Sequence, residues 1–142
     1  MRKMWWALLM IALLVALTGC TEGTSSGIYS QDIPDPATQF LTARDSVYHS
    51  VWNSTKYGWP VAVESRIAYA LFAIRSYRAG FETHEQLQAH LDFIEYPDGA
   101  SLTAFGYRFK TILVWLRRGE IDLATAEKML VDLMEVRASG MR

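Results

Sequence analysis

The stretch LTAFGYRFKTILVWLRRG, residues 102–119, decides the fold class of this chain. Its apolar residues recur at spacings of three and four, the period of one face of an α-helix. They are Leu102, Phe105, Phe109, Ile112, Leu113 and Leu116. Two arginines occupy the last turn, where the helix dipole favours cations, and Gly119 follows as a stop. The segment therefore predicts an amphipathic helix with one face in a core.

The same pattern extends in both directions from this segment. Downstream, Asp122 is a suitable N-cap for a helix that ends near Gly140. Upstream, Asp35 and Pro36 begin one helix, and Thr83 with a glutamine three residues later forms a capping box before another. The three upstream helices are predicted at about 36–56, 60–79 and 84–96. Five helices and no strand predict an all-α, compact bundle over residues 36–142.

Composition limits what such a domain can do. Fourteen Lys and Arg residues against fifteen Asp and Glu residues give the 142-residue chain a net charge of −1, so it has no basic field for nucleic acid. Residues 36–142 are enough for one core but not for a deep enclosed cavity. We therefore expect a single small domain, and no nucleic-acid partner.

The first twenty residues form a separate unit. Arg2 and Lys3 precede thirteen uninterrupted apolar residues, 4–16, and Leu17-Thr18-Gly19-Cys20 follows. The apolar run is shorter than the roughly twenty residues that span a bilayer, so it predicts a secretory signal and not a permanent membrane helix.

Residues 17–20 resemble the lipobox of bacterial lipoproteins. The resemblance implies that residues 1–19 are a cleaved signal peptide and that the thiol of Cys20, the only cysteine, carries acyl chains such as palmitate. It also implies attachment to the periplasmic face of the outer membrane of a Gram-negative cell, because Thr21 stands where lipoproteins kept at the inner membrane commonly have Asp. Residues 20–35 are rich in Ser, Thr and Gly and predict a flexible tether of about 20 Å.

No set of residues predicts an active site. His84 and His90 are six residues apart and point to different faces of a helix, and Ser46, His49 and Ser50 lack the strained elbow of a hydrolase nucleophile. We expect no catalysis, cofactor or metal. His90 is predicted to be a half-buried, hydrogen-bonded residue. The acids around the third helix, which are Glu82, Glu85, Asp92, Glu95 and Asp98, predict a solvated face that pairs with the basic ends of the neighbouring helices.

Three groups of residues are candidates for interaction. Tyr57 and Trp59 flank a glycine in a turn, with Trp52 nearby, and such rings either stack on a sugar, anchor a protein interface, or cover the end of the bundle. Tyr107 and Trp115 lie off the apolar stripe of their helix, so that helix is either buried on two sides or exposes a patch. Finally, the arginines Arg75 and Arg78 could receive an acidic partner or phosphate.

These features predict a lipid-anchored accessory or interaction protein of the cell envelope, such as a secretion, conjugation, exclusion or assembly subunit, whose partner is another envelope protein. Two alternatives stay open. One is a peptidoglycan- or glycan-binding module that uses the Tyr57/Trp59 turn, and the other is a small envelope hydrolase. The sequence gives no indication of the oligomeric state.

We expect Cys20→Ser to abolish lipidation and to leave an unprocessed or mislocalised precursor, because no other thiol can accept the lipid. Metabolic labelling with a radioactive fatty acid measures this directly, and Thr21→Ser serves as the matched control that keeps its label. Label retained on the Cys20→Ser protein would contradict the lipoprotein interpretation.

Overall fold

The computed structural model describes residues 33–140, and the all-α prediction is confirmed. In this part of the chain there are five helices and no strand. The helices are α1 (Pro36–Lys56), α2 (Val63–Arg78), α3 (His84–Ile94), α4 (Ala104–Arg117) and α5 (Leu123–Ala138). None of the described helices is both long and apolar enough to cross a membrane. The predicted signal peptide, Cys20 and most of the predicted tether lie outside the described residues.

The described part of the chain divides into two units, with the boundary between Thr42 and Ala43. In the described part of the first unit, the Asp35 carboxylate accepts a hydrogen bond of 2.7 Å from the Thr38 backbone N–H. This bond lowers the pKa of Asp35 below its usual value. The predicted cap at Asp35 is therefore confirmed, and the proline after it occupies the first position of α1.

The core of the second unit is built around α2. This helix packs against α3, α4 and α5, and α4 packs against α5. Eight of its sixteen residues are buried, whereas α1 has one buried residue, Val51. Among the largest side chains that are fully buried are Tyr69, Phe109, Ile67, Ile74, Leu87, Ile94 and Leu130. The apolar faces predicted for the last four helices thus meet in one core.

Most predicted helix starts are confirmed by side-chain caps. Thr83 and Gln86 form both hydrogen bonds of the capping box, and Asp122 accepts a bond of 2.7 Å from the Thr125 N–H. The second helix differs from the prediction, since it begins at Val63 and not at Pro60. Its N-cap, Ala62, has an extended backbone and no side-chain cap, so residues 60–62 form a linker between α1 and α2.

The end of α2 shows why glycine is needed there. Gly80 has a φ of +84°, a left-handed conformation that residues with a Cβ rarely adopt. Beyond it, the Phe81 N–H donates to the Ser76 carbonyl at 2.9 Å, which satisfies a carbonyl of the last helical turn. After the reversal, the side chain of Glu82 contacts Tyr48 of α1 and His90 of α3.

Phe109→Ala should lower the free energy of unfolding by about 3–5 kcal/mol, because the ring is fully buried and its removal leaves a cavity. The matched control is Tyr57→Ala, which removes an exposed ring and should cost less than about 1 kcal/mol. Urea unfolding of both variants measures the difference. Equal losses would contradict the assignment of the core.

Candidate functional site

The turn after α1 presents two aromatic rings to solvent. Tyr57 and Trp59 are each 61% exposed, and their ring centroids lie 5.1 Å apart with a tilt of 32°. Gly58 between them has a φ of +71°, and the Trp59 N–H donates to the Ser54 carbonyl at 2.8 Å. The backbone of the turn is therefore fixed while its rings stay uncovered. Exposure of this degree favours the two binding interpretations of this turn over a role in covering the end of the bundle.

A third aromatic residue lies one helical turn before this pair. Trp52 is exposed on one side and stacks on Phe93 of α3 with centroids 4.9 Å apart. Lys56 places its ammonium 5.7 Å from the centroid of the Tyr57 ring. The C-terminal end of α1 thus combines large apolar rings with a cation, which is a composition typical of binding surfaces.

A second exposed apolar surface lies between α4 and α5. Tyr107 is 62% exposed and Trp115 is 37% exposed, and both line an open groove of about 420 Å³. The other lining residues are Arg108, Thr111 and Ile112 from α4 and Met129, Asp132, Leu133 and Val136 from α5. Of the two predictions made for this helix, the structure supports the exposed patch.

The arginines Arg75 and Arg78 do not face the acids of α3. Both contact Glu127 of α5, with distances of 3.0 Å from Arg75 Nε and 2.5 Å from Arg78 Nη1. The predicted pairing with the third helix is therefore wrong for these two residues, because α2 packs against α5 on this side. The predicted pairing is confirmed for two basic residues of α4. Arg117 pairs with Glu95, and Lys110 pairs with Asp98 in the loop that follows α3. The Arg75/Arg78 pair already has an internal carboxylate partner.

Glu82 is the largest departure from the predicted solvated acidic face. Its side chain is only 7% exposed and it lies 3.2 Å from Arg44 Nη1. The Tyr48 hydroxyl donates to it at 3.3 Å, and His90 Nε2 lies 3.4 Å from the same oxygen. The reversal after α2 explains this placement, since it turns Glu82 toward α1 and α3. We call Arg44, Tyr48, Tyr69, Glu82 and His90 the Glu82 cluster.

The Glu82 cluster confirms His90 as a half-buried, hydrogen-bonded residue. Its Nδ1 lies 2.7 Å from the Tyr69 hydroxyl, and its ring lies 4.5 Å from that of Tyr48. Burial is the main reason why the pKa of His90 falls below its usual value, although Glu82 opposes the shift. A neutral ring fits both contacts, because Nδ1 then accepts from the tyrosine and Nε2–H donates to the carboxylate.

Sequence reasoning missed three members of this cluster as site residues. Arg44, Tyr48 and Tyr69 belong to no recognisable motif in the sequence. The signal that existed was His90 within an apolar stripe, since a buried imidazole requires polar partners. Its partners come from α1, α2 and the following turn, so their meeting depends on tertiary packing and not on spacing.

The other residues considered as catalytic or metal-binding candidates do not belong to the Glu82 cluster. Ser46, His49 and Ser50 are exposed on α1, and His84 is exposed at the start of α3. Between residues 33 and 140, no group of three or more His, Cys, Asp or Glu residues could hold a metal ion.

The chain matches no protein-family model, no curated protein and no solved structure. Its function must therefore be inferred from its own surfaces.

The stability of the domain should fall as the pH drops from about 7.5 to 5.5. Because the pKa of His90 is lowered in the folded state, the unfolded chain binds more protons in this range, which favours unfolding. One such group contributes at most about 1.4 kcal/mol per pH unit.

Urea unfolding across this range measures the effect. His90→Gln should remove part of the slope, whereas His49→Gln, a control on the exposed side of α1, should keep it. A His90→Gln protein with the wild-type pH dependence would show that the cluster does not disfavour the imidazolium.

Proposed function

We propose that this chain is a lipid-anchored accessory protein of the bacterial cell envelope, which binds another envelope protein and has no catalytic role. Anchoring is supported by the lipobox-like residues 17–20 and by the charged, apolar segment before them. Removal of residues 1–19 leaves twelve basic and fifteen acidic side chains, so acyl chains and not surface charge hold the protein to the membrane. Thr21 supports the periplasmic face of the outer membrane.

The single observation that carries partner binding is the exposure of Tyr57 and Trp59 on a turn with a fixed backbone. Two adjacent exposed rings form an apolar patch of the kind that marks interaction sites, and Trp and Tyr are enriched among the residues that dominate binding energy. A turn whose N–H groups are already bonded also loses little conformational freedom on binding.

Site-specific photocrosslinking in living cells tests this proposal. A photoreactive amino acid at position 59 of the full chain should give a crosslinked protein of defined mass, and the same amino acid at the exposed position 49 of α1 should not. Trp59→Ala should weaken binding of the crosslinked partner by about 2 kcal/mol, or about thirtyfold, with little change in melting temperature.

Two outcomes would contradict the proposal. Equal crosslinking from positions 49 and 59 would show that the turn recognises no specific partner. A large loss of stability in Trp59→Ala would show that the ring belongs to the core.

Glycan binding is a second candidate, favoured by the same exposed rings, since aromatic faces stack on sugars. Cosedimentation with purified peptidoglycan sacculi separates the two functions. Binding to sacculi that disappears in Trp59→Ala would favour the glycan-binding module over the protein partner.

A further inference from the structure

The groove between α4 and α5 is a candidate binding surface that does not depend on the lipid anchor. Its floor and walls are mainly apolar, with Tyr107, Trp115 and Met129 among the lining residues. Its only charged lining residues are one from each wall, Arg108 of α4 and Asp132 of α5. An apolar strip with opposite charges on its two sides restricts which surface can cover it.

The two charges are available for a partner. Among the described residues none forms an ion pair with Arg108, whose guanidinium lies 5.9 Å from the Phe105 ring. Asp132 has only an exposed contact of 3.9 Å with Lys128, one turn earlier on the same helix. Such a contact between exposed side chains contributes little to stability.

The two charges also lie at the same level of the helical hairpin. Arg108 is nine residues before the end of α4 at Arg117, and Asp132 is nine residues after the start of α5 at Leu123. At about 1.5 Å per residue, each lies roughly 14 Å from the connecting turn. The groove therefore has a positive charge on one wall and a negative charge on the other, at about the same distance from the turn.

We propose that a second copy of this chain covers the groove, through a two-fold axis that runs parallel to α4 and α5. Rotation about such an axis places α4 of one copy opposite α5 of the other and preserves the level along the hairpin. Arg108 of each copy then faces Asp132 of its partner, and the apolar strips meet between them as a four-helix arrangement.

The charges select this axis over the alternative. A two-fold axis perpendicular to the helices would place α4 against α4, and where it passes at the level of these charges Arg108 would face Arg108 and Asp132 would face Asp132. Like charges in direct opposition disfavour that arrangement. A single helix from another protein would need its own acidic and basic residues at one level, a condition that a second copy meets automatically.

Copurification of two differently tagged full-length copies tests the proposal. Both are coexpressed, extracted in excess detergent, purified through one tag and probed for the other. The wild-type pair should copurify. Arg108→Glu paired with itself, and Asp132→Arg paired with itself, should each lose about tenfold or more, because the interface then brings together like charges.

The decisive sample combines the two variants. Arg108→Glu on one copy and Asp132→Arg on the other restore both opposite-charge pairs across the two-fold axis, so copurification should return to near the wild-type level. Because the three variant samples carry the same anchor, shared micelles cannot produce this pattern. Glu85→Arg, an exposed charge reversal on α3, is a control that should not change copurification.

Three results would overturn the proposal: wild-type copies that do not copurify, single variants that copurify normally, or a mixed pair no better than either variant alone. Circular dichroism melts of each variant check that the charge reversals leave the helices folded. Failure of fatty-acid labelling with an intact charge-reversal pattern would reject the proposed anchor but not the dimer.

Discussion

The burial of α2 against α3, α4 and α5 is the constraint on which the rest of the structure depends. Half of this helix is buried, and its fully buried residues include Ile67, Tyr69 and Ile74. Each fully buried aliphatic side chain contributes about 1.5–3 kcal/mol relative to an exposed one. Because α2 occupies the centre of the core, the side of the α4–α5 pair that carries Tyr107 and Trp115 stays exposed and forms the apolar groove.

The residues of α1 from Ala43 onward are attached in a different way. Val51 is their one buried residue, and Arg44 and Tyr48 join them to the Glu82 cluster by polar contacts. A buried carboxylate requires such partners, since an unpaired charge in this position would be strongly destabilising. The cluster thereby holds the middle of α1, and the stacking of Trp52 on Phe93 holds the helix closer to the aromatic turn at Tyr57 and Trp59.

The sequence predicts local features of this fold well and contacts between distant residues poorly. Helix caps at Thr83 and Asp122 depend on residues three positions apart, so they can be derived from spacing alone. The partner of Arg75 and Arg78 could not be derived from spacing. Glu127 lies about fifty residues away and meets these arginines only because α2 packs on α5. For the same reason the exposed rings at residues 57, 59, 107 and 115 were identifiable as candidates, but their exposure required the structure.

Hydroxyl-radical footprinting of the purified full-length protein tests the central claim, that a core around α2 leaves two aromatic surfaces outside it. The account predicts strong oxidation of Tyr57 and Trp59 and almost none of Tyr69. It also predicts that oxidation of Tyr107 is low in the self-associated wild-type protein and rises in Arg108→Glu. Protection of Tyr57 and Trp59 equal to that of Tyr69, or oxidation of Tyr107 that the charge reversal does not change, would contradict it.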